Sequence, residues 1–159
     1  MNINKKAISI ISIIAFLLCG MIMYIYAGSK GVTDVFICKS RNVVIHGDLG
    51  FTATYNFEFL KNKGDVFVNG VVTKGENEYF INRHIYFSYE RTGHIYTMKN
   101  TELDDINAED TRHSEINNHL THFFIKEGGM LSLVLRKDGH GTPVFFLTDI
   151  PTFYCLPDQ

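Results

Sequence analysis

Apolar and polar residues alternate with a period of two over most of the chain beyond residue 50. In FTATYNFEFL, Phe51, Ala53, Tyr55, Phe57 and Phe59 share one face, and Thr52, Thr54, Asn56 and Glu58 share the other. This is the pattern of a strand with one buried side. A Lys-Asn-Lys-Gly turn leads into a second strand, residues 65–73, so the two form a hairpin. A second hairpin runs from Tyr79 to Glu90, turns at Arg91-Thr92-Gly93 and returns from His94 to Met98. Ile81, Ile85, Phe87 and Tyr89 line its apolar face, which Arg83 interrupts. A third joins residues 130–136 to 144–148 through a loop containing Asp138-Gly139, a strong turn signal.

One stretch departs from this period. After an acidic loop, residues 102–110, the segment 114–124 spaces Ile116, Leu120, Phe123 and Phe124 at i, i+4, i+7 and i+8. That stripe predicts one short amphipathic helix. The expected fold is therefore mainly β: seven or eight antiparallel strands that close into a small barrel or fold over as a sandwich, plus one short α-helix. Of the two the barrel is favoured, with the helix plugging or flanking one end.

The start of the chain has a different pattern. Between Lys6 and Lys30 no residue is charged, and residues 7–27 read AISIISIIAFLLCGMIMYIYA. As a helix this run spans roughly 30 Å, the thickness of a bilayer core. It is longer than the apolar core of a cleaved signal peptide and lacks a small-residue cleavage site. The organisation expected is a cytoplasmic tail (1–6), a transmembrane signal-anchor (7–27), a linker (28–34) and an exported β-rich domain (35–159). Lys5 and Lys6 abut the run, as in a signal-anchor that leaves its tail in the cytoplasm, although Lys30, Lys39 and Arg41 weaken the charge argument.

Cysteine usage supports export. Cys19 lies within the apolar run, whereas Cys38 and Cys155 stand near the two ends of the domain. In an oxidising compartment such a pair reads as a disulfide; two unrelated buried thiols are the alternative. The loop it would close exceeds a hundred residues, for which chain entropy gives about 4–5 kcal/mol as an upper figure.

The sequence holds no Gly-x-Ser-x-Gly, P-loop, Gly-x-Gly-x-x-Gly or His-Glu-x-x-His motif, and an enzyme is not expected. His113, His119 and His122 lie within ten residues, but spacing fixes no carboxylate or cysteine beside them, so no metal site is assigned. Of the 15 basic residues, Lys5, Lys6 and Lys30 precede residue 31, whereas all 17 acidic residues and all 7 histidines lie in the soluble part, residues 31–159. An acidic, exported domain argues against direct nucleic-acid binding. Its histidines bring it toward neutrality in acid, making association with another surface pH-dependent.

The order of these features resembles a known family. A signal-anchor, Phe-x-Cys near the first strand, Asn82-Arg83-x-Ile85-x-Phe87-x-Tyr89, a helix ending in Phe-Phe, and Pro151-x-Phe153-Tyr154-Cys155 resemble the FidL-like and PsaF/MyfF-type inner-membrane proteins of enterobacteria. The resemblance implies a ToxS-like accessory role. Such a protein sits in the bacterial inner membrane with its domain in the periplasm. There it would bind and stabilise a ToxR-like winged-helix regulator and tune it by acid pH, temperature or an apolar ligand, controlling fimbrial or virulence genes. It also implies a lipocalin-like (calycin) barrel.

Two sets of residues follow as candidates. His84, His94, His113, His119 and His122 are the candidate pH sensors. Phe51, Tyr55, Phe57, Phe59, Phe87 and Tyr89 either line a pocket for a fatty acid or bile salt or simply fill the core. No cofactor is expected. The alternative function is a stand-alone, membrane-anchored carrier of a lipid or small molecule.

Overall fold

The computed structural model describes residues 14–21 and 36–156. The chain divides into two units, Met1–Thr33 and Asp34–Gln159. In the first, residues 14–21 are helical. Among the described residues no helix is long and apolar enough to cross a membrane. The remainder of the expected span, together with the tail and the linker, lies outside the described residues.

The second unit is a meander of eight strands: β1 (Phe36–His46), β2 (Leu49–Leu60), β3 (Lys63–Lys74), β4 (Asn77–Thr92), β5 (Ile95–Asp105), β6 (Met130–Lys137), β7 (Pro143–Leu147) and β8 (Ile150–Tyr154). Each pairs antiparallel with the next, so order in the sheet equals order in the chain. The first and last strands meet at a bridge between Lys39 and Leu156. The result is a nearly closed, barrel-like sheet rather than a sandwich.

Alternation carries directly into burial. Along β2 every second residue from Leu49 to Phe59 is buried, and β3 and β4 follow the same rule. The inward faces meet as a lattice of rings. Phe59 packs against Phe87, Tyr89 and Tyr96 at centroid distances of 5.4, 5.3 and 5.3 Å, and Phe153 lies 5.0 Å from Phe57 and 4.9 Å from Tyr55. Rings of this size explain a glycine inside β3. A Cβ at Gly70 would stand 2.9 Å from the Phe51 ring and 2.6 Å from the Thr52 carbonyl oxygen, so only glycine fits.

The helix differs from the expectation. The one α-helix among the residues of this unit described here is Ala108–Ser114, which begins inside the stretch expected as an acidic loop. Glu102 to Asp105 of that stretch belong to β5. The expected helix 114–124 is instead two 3₁₀ turns, Ile116–Asn118 and His122–Phe124. Glu115 adopts a left-handed φ of 59° between the helix and the first turn, which ends the regular helix. The apolar stripe keeps its purpose: Ile116, Phe123 and Phe124 are buried and Leu120 is half-buried against the core. The second hairpin also turns slightly later than expected, at Gly93-His94, so His94 lies in the turn and not in the returning strand.

Cys38 and Cys155 form a disulfide across 117 positions of sequence. It joins β1 to the residue following β8, beside the Lys39–Leu156 bridge. At the third hairpin, the Asp138 carboxylate accepts hydrogen bonds from the backbone N–H of His140 (2.9 Å) and Thr142 (2.8 Å). These bonds hold its carboxyl below the usual range and fix the loop predicted from Asp138-Gly139.

Candidate functional site

Aromatic side chains line the inner face of the barrel. All six pocket candidates are buried: Phe51, Tyr55, Phe57, Phe59, Phe87 and Tyr89. Tyr55, Phe57, Phe59, Phe87 and Tyr89 contact one another and the rings of Tyr96, Phe123, Phe124, Phe145 and Phe153. Open grooves lie elsewhere. One of about 480 Å³ is bordered by Asp65, Tyr86, Ser88 and Glu102, and one of about 340 Å³ by Phe36, Ile37, Pro143, Cys155 and Leu156.

One charged residue among those described is buried. Arg83, 1% exposed, occupies the position where the apolar face of β4 is interrupted. Its guanidinium donates to the Asp105 carboxylate (3.0 Å), the Phe124 carbonyl (2.8 Å) and the Asn117 side-chain oxygen (2.6 Å). Asp105 also accepts from the Thr111 hydroxyl at 3.0 Å. Buried Asn100 donates through Nδ2 to the Phe123 carbonyl at 2.8 Å. β5 and β6 pair only as far as Lys99 and Met130, and the segment between them closes this gap. Arg83 and Asn100 tie that segment to the sheet through carbonyls that a broken helix leaves without internal donors. Burial pushes the Tyr55 phenol above its ordinary pKa, with Arg83 acting in the opposite direction. Each guanidinium nitrogen of Arg83 thus has an acceptor, whereas the buried Asn100 side-chain oxygen has no donor among the described residues.

The other irregular region is the seam between β1 and β8. β1 pairs with β2 along its whole length, from Phe36–Phe59 to His46–Leu49. On its other side it has one backbone bridge, in which the Leu156 N–H donates to the Lys39 carbonyl at 2.9 Å. Farther along, the Asn42 side chain reaches across and donates to the Thr152 carbonyl at 2.9 Å. Backbone groups alternate sides along a strand. Since Lys39 faces β8, so do Arg41, Val43 and Ile45, and their outward N–H and C=O groups have no backbone partner among the described residues. Apolar side chains crowd the same edge. Val43 is 62% and Ile45 77% exposed, and Ile37, Val44, Ile150, Tyr154 and Leu156 are also exposed.

The histidines are spread over the surface. His84, on the outer face of β4, lies 2.9 Å from the Asp65 carboxylate through Nε2 and packs its ring 4.2 Å from that of Tyr86. His94 is exposed in its turn, and His122 is exposed in the second 3₁₀ turn. His113, on the short helix, contacts the Glu109 carbonyl oxygen through Nδ1 at 3.0 Å. His119 meets His46, which was not among the candidates. The five therefore do not form one sensor, and among the described residues no group of three or more His, Cys, Asp or Glu is placed to hold a metal.

Sequence reasoning marked Arg83 as an interruption but gave it no role, and it missed both Asn100 and the open edge of β1. The first two carried a signal, a polar residue on an inward-facing strand position. The third carried none, because the β1 sequence FICKSRNVVIH loses its alternation where the strand lacks a second neighbour.

No protein-family model, no curated protein and no solved structure matches this chain.

Proposed function

We propose that this is a non-enzymatic accessory protein, tethered to the bacterial inner membrane, whose periplasmic barrel binds a ToxR-like winged-helix regulator. The observation that carries the reading is the open outer edge of β1. An exposed row of unpaired N–H and C=O groups, flanked by apolar side chains, is what an added strand of another protein requires. The close ring contacts inside the barrel favour a role exercised at the surface over the anchored carrier. Tuning by acid, warmth or an apolar ligand belongs to the proposal; His84 beside Asp65 is the histidine whose surroundings suit a charge-dependent contact. Regulation of fimbrial or virulence genes would follow from the partner.

The test is recovery of membrane proteins by the full tagged chain from solubilised inner membranes, at about pH 6 and about pH 7.5. The expected result is a transmembrane winged-helix protein, lost with Val43→Pro. Proline removes an N–H that faces outward, so the ladder to β2 survives. Recovery of no such regulator, with a lipid bound to the purified chain, would replace this reading by the carrier.

A further inference from the structure

His46 ends β1 and His119 follows the first 3₁₀ turn, yet their rings lie 5.2 Å apart, with planes inclined by 47°. Both residues are exposed, so burial does not force them together. Neither ring has a hydrogen-bond or ion-pair partner among the described residues. Contact between two such rings gains little when both are neutral and is repulsive when both are charged. A shared electrophile removes both problems, because each neutral imidazole offers one ring nitrogen as a ligand.

The geometry points to a two-histidine site for a divalent first-row cation of the zinc, nickel or copper type, and we propose it as a binding site of this protein. With metal–nitrogen bonds of about 2.0–2.1 Å and a tetrahedral angle, two imidazoles on one ion hold their centroids roughly 5 Å apart. Imidazole is the ligand these ions share. The carboxylate of Glu115, four positions before His119 in sequence, is engaged by the Lys74 ammonium at 2.8 Å and is not counted as a ligand. Water completes the coordination, which makes the ion exchangeable. Its structural effect is specific: it ties the C-terminal end of β1 to the segment between β5 and β6. Nothing in this site depends on the identity of a protein partner.

Zinc chloride titrated into the full chain, followed by calorimetry and by amide hydrogen exchange, tests the proposal. One zinc ion per chain is expected, with slower exchange at residues 44–46 and 118–120. His46→Ala and His119→Ala should each weaken binding by about a hundredfold, the advantage of two ligands on one scaffold. His113→Ala and His140→Ala, elsewhere on the surface, should leave it unchanged. Three results would overturn the proposal: binding that survives both substitutions, binding that depends on only one of the two histidines, or half an ion per chain, which would place the metal between two copies. Both residues are exposed, and an unchanged thermal transition without zinc would verify that each variant folds.

Discussion

The sheet joins its strands in two ways, and the contrast separates structure from function. From β2 to β4 every residue of one strand has a partner on the next, and the inward faces are closed by Phe51, Phe57, Phe59, Ile85 and Phe87. Between β1 and β8, among the described residues, one disulfide, one backbone bridge and one asparagine side chain stand in place of a ladder. The first region is held by many small terms that cannot be removed singly. The second has three specific links that can, beside ring contacts such as Phe36 on Phe145. A barrel that were only a scaffold would have no reason to leave apolar residues along its weakest join.

Changes in the welded region should have the largest effects. Phe57→Ala removes a fully buried ring that touches Phe59, Phe145 and Phe153, at an expected cost of about 3–5 kcal/mol by urea unfolding. A loss below about 1 kcal/mol would mean the interior is not packed as described. At the seam, Cys38→Ser should cost about 2–4 kcal/mol. It should also speed amide exchange along β1 and β8 more than along β3 and β4; uniform acceleration would erase the distinction between the two regions. Asn42→Ala removes one hydrogen bond to Thr152 and should cost about 1 kcal/mol, with the loosening confined to the same strands.

The smallest effect is visible only in alkali. Tyr55 has its folded pKa raised by burial, so the folded state favours the protonated phenol. Its contribution is complete below the unfolded value of about 10 and is lost as pH climbs from there toward the folded value. Tyr55→Phe should therefore flatten the decline in unfolding free energy above about pH 10 relative to the wild type. Parallel declines would mean that the phenol reaches water.

Much of the welded region is legible in the sequence, since a strand with one buried face repeats every two residues. Phe51 through Phe59 and Ile81 through Tyr89 show this with little interruption, and the cysteine pair is readable from its bracketing positions. The seam is not legible. Whether β1 has a second neighbour depends on how the barrel closes, a relation between residues more than a hundred positions apart. The helix moved for a local reason: the apolar stripe of 116–124 specifies a buried face, and two 3₁₀ turns bury it as well as a helix does. The histidines were grouped by closeness in sequence, whereas the fold sends His113, His119 and His122 to separate surroundings and brings His46 to one of them.

Residue-resolved amide exchange of the full chain, with its disulfide intact, tests most directly whether β1 is an open edge. The account predicts that the outward N–H groups of Arg41, Val43 and Ile45 exchange far faster than those of Asn42 and Val44, which face β2. Equal protection of the two sets would contradict it, because the edge proposed as the docking surface would then already be paired.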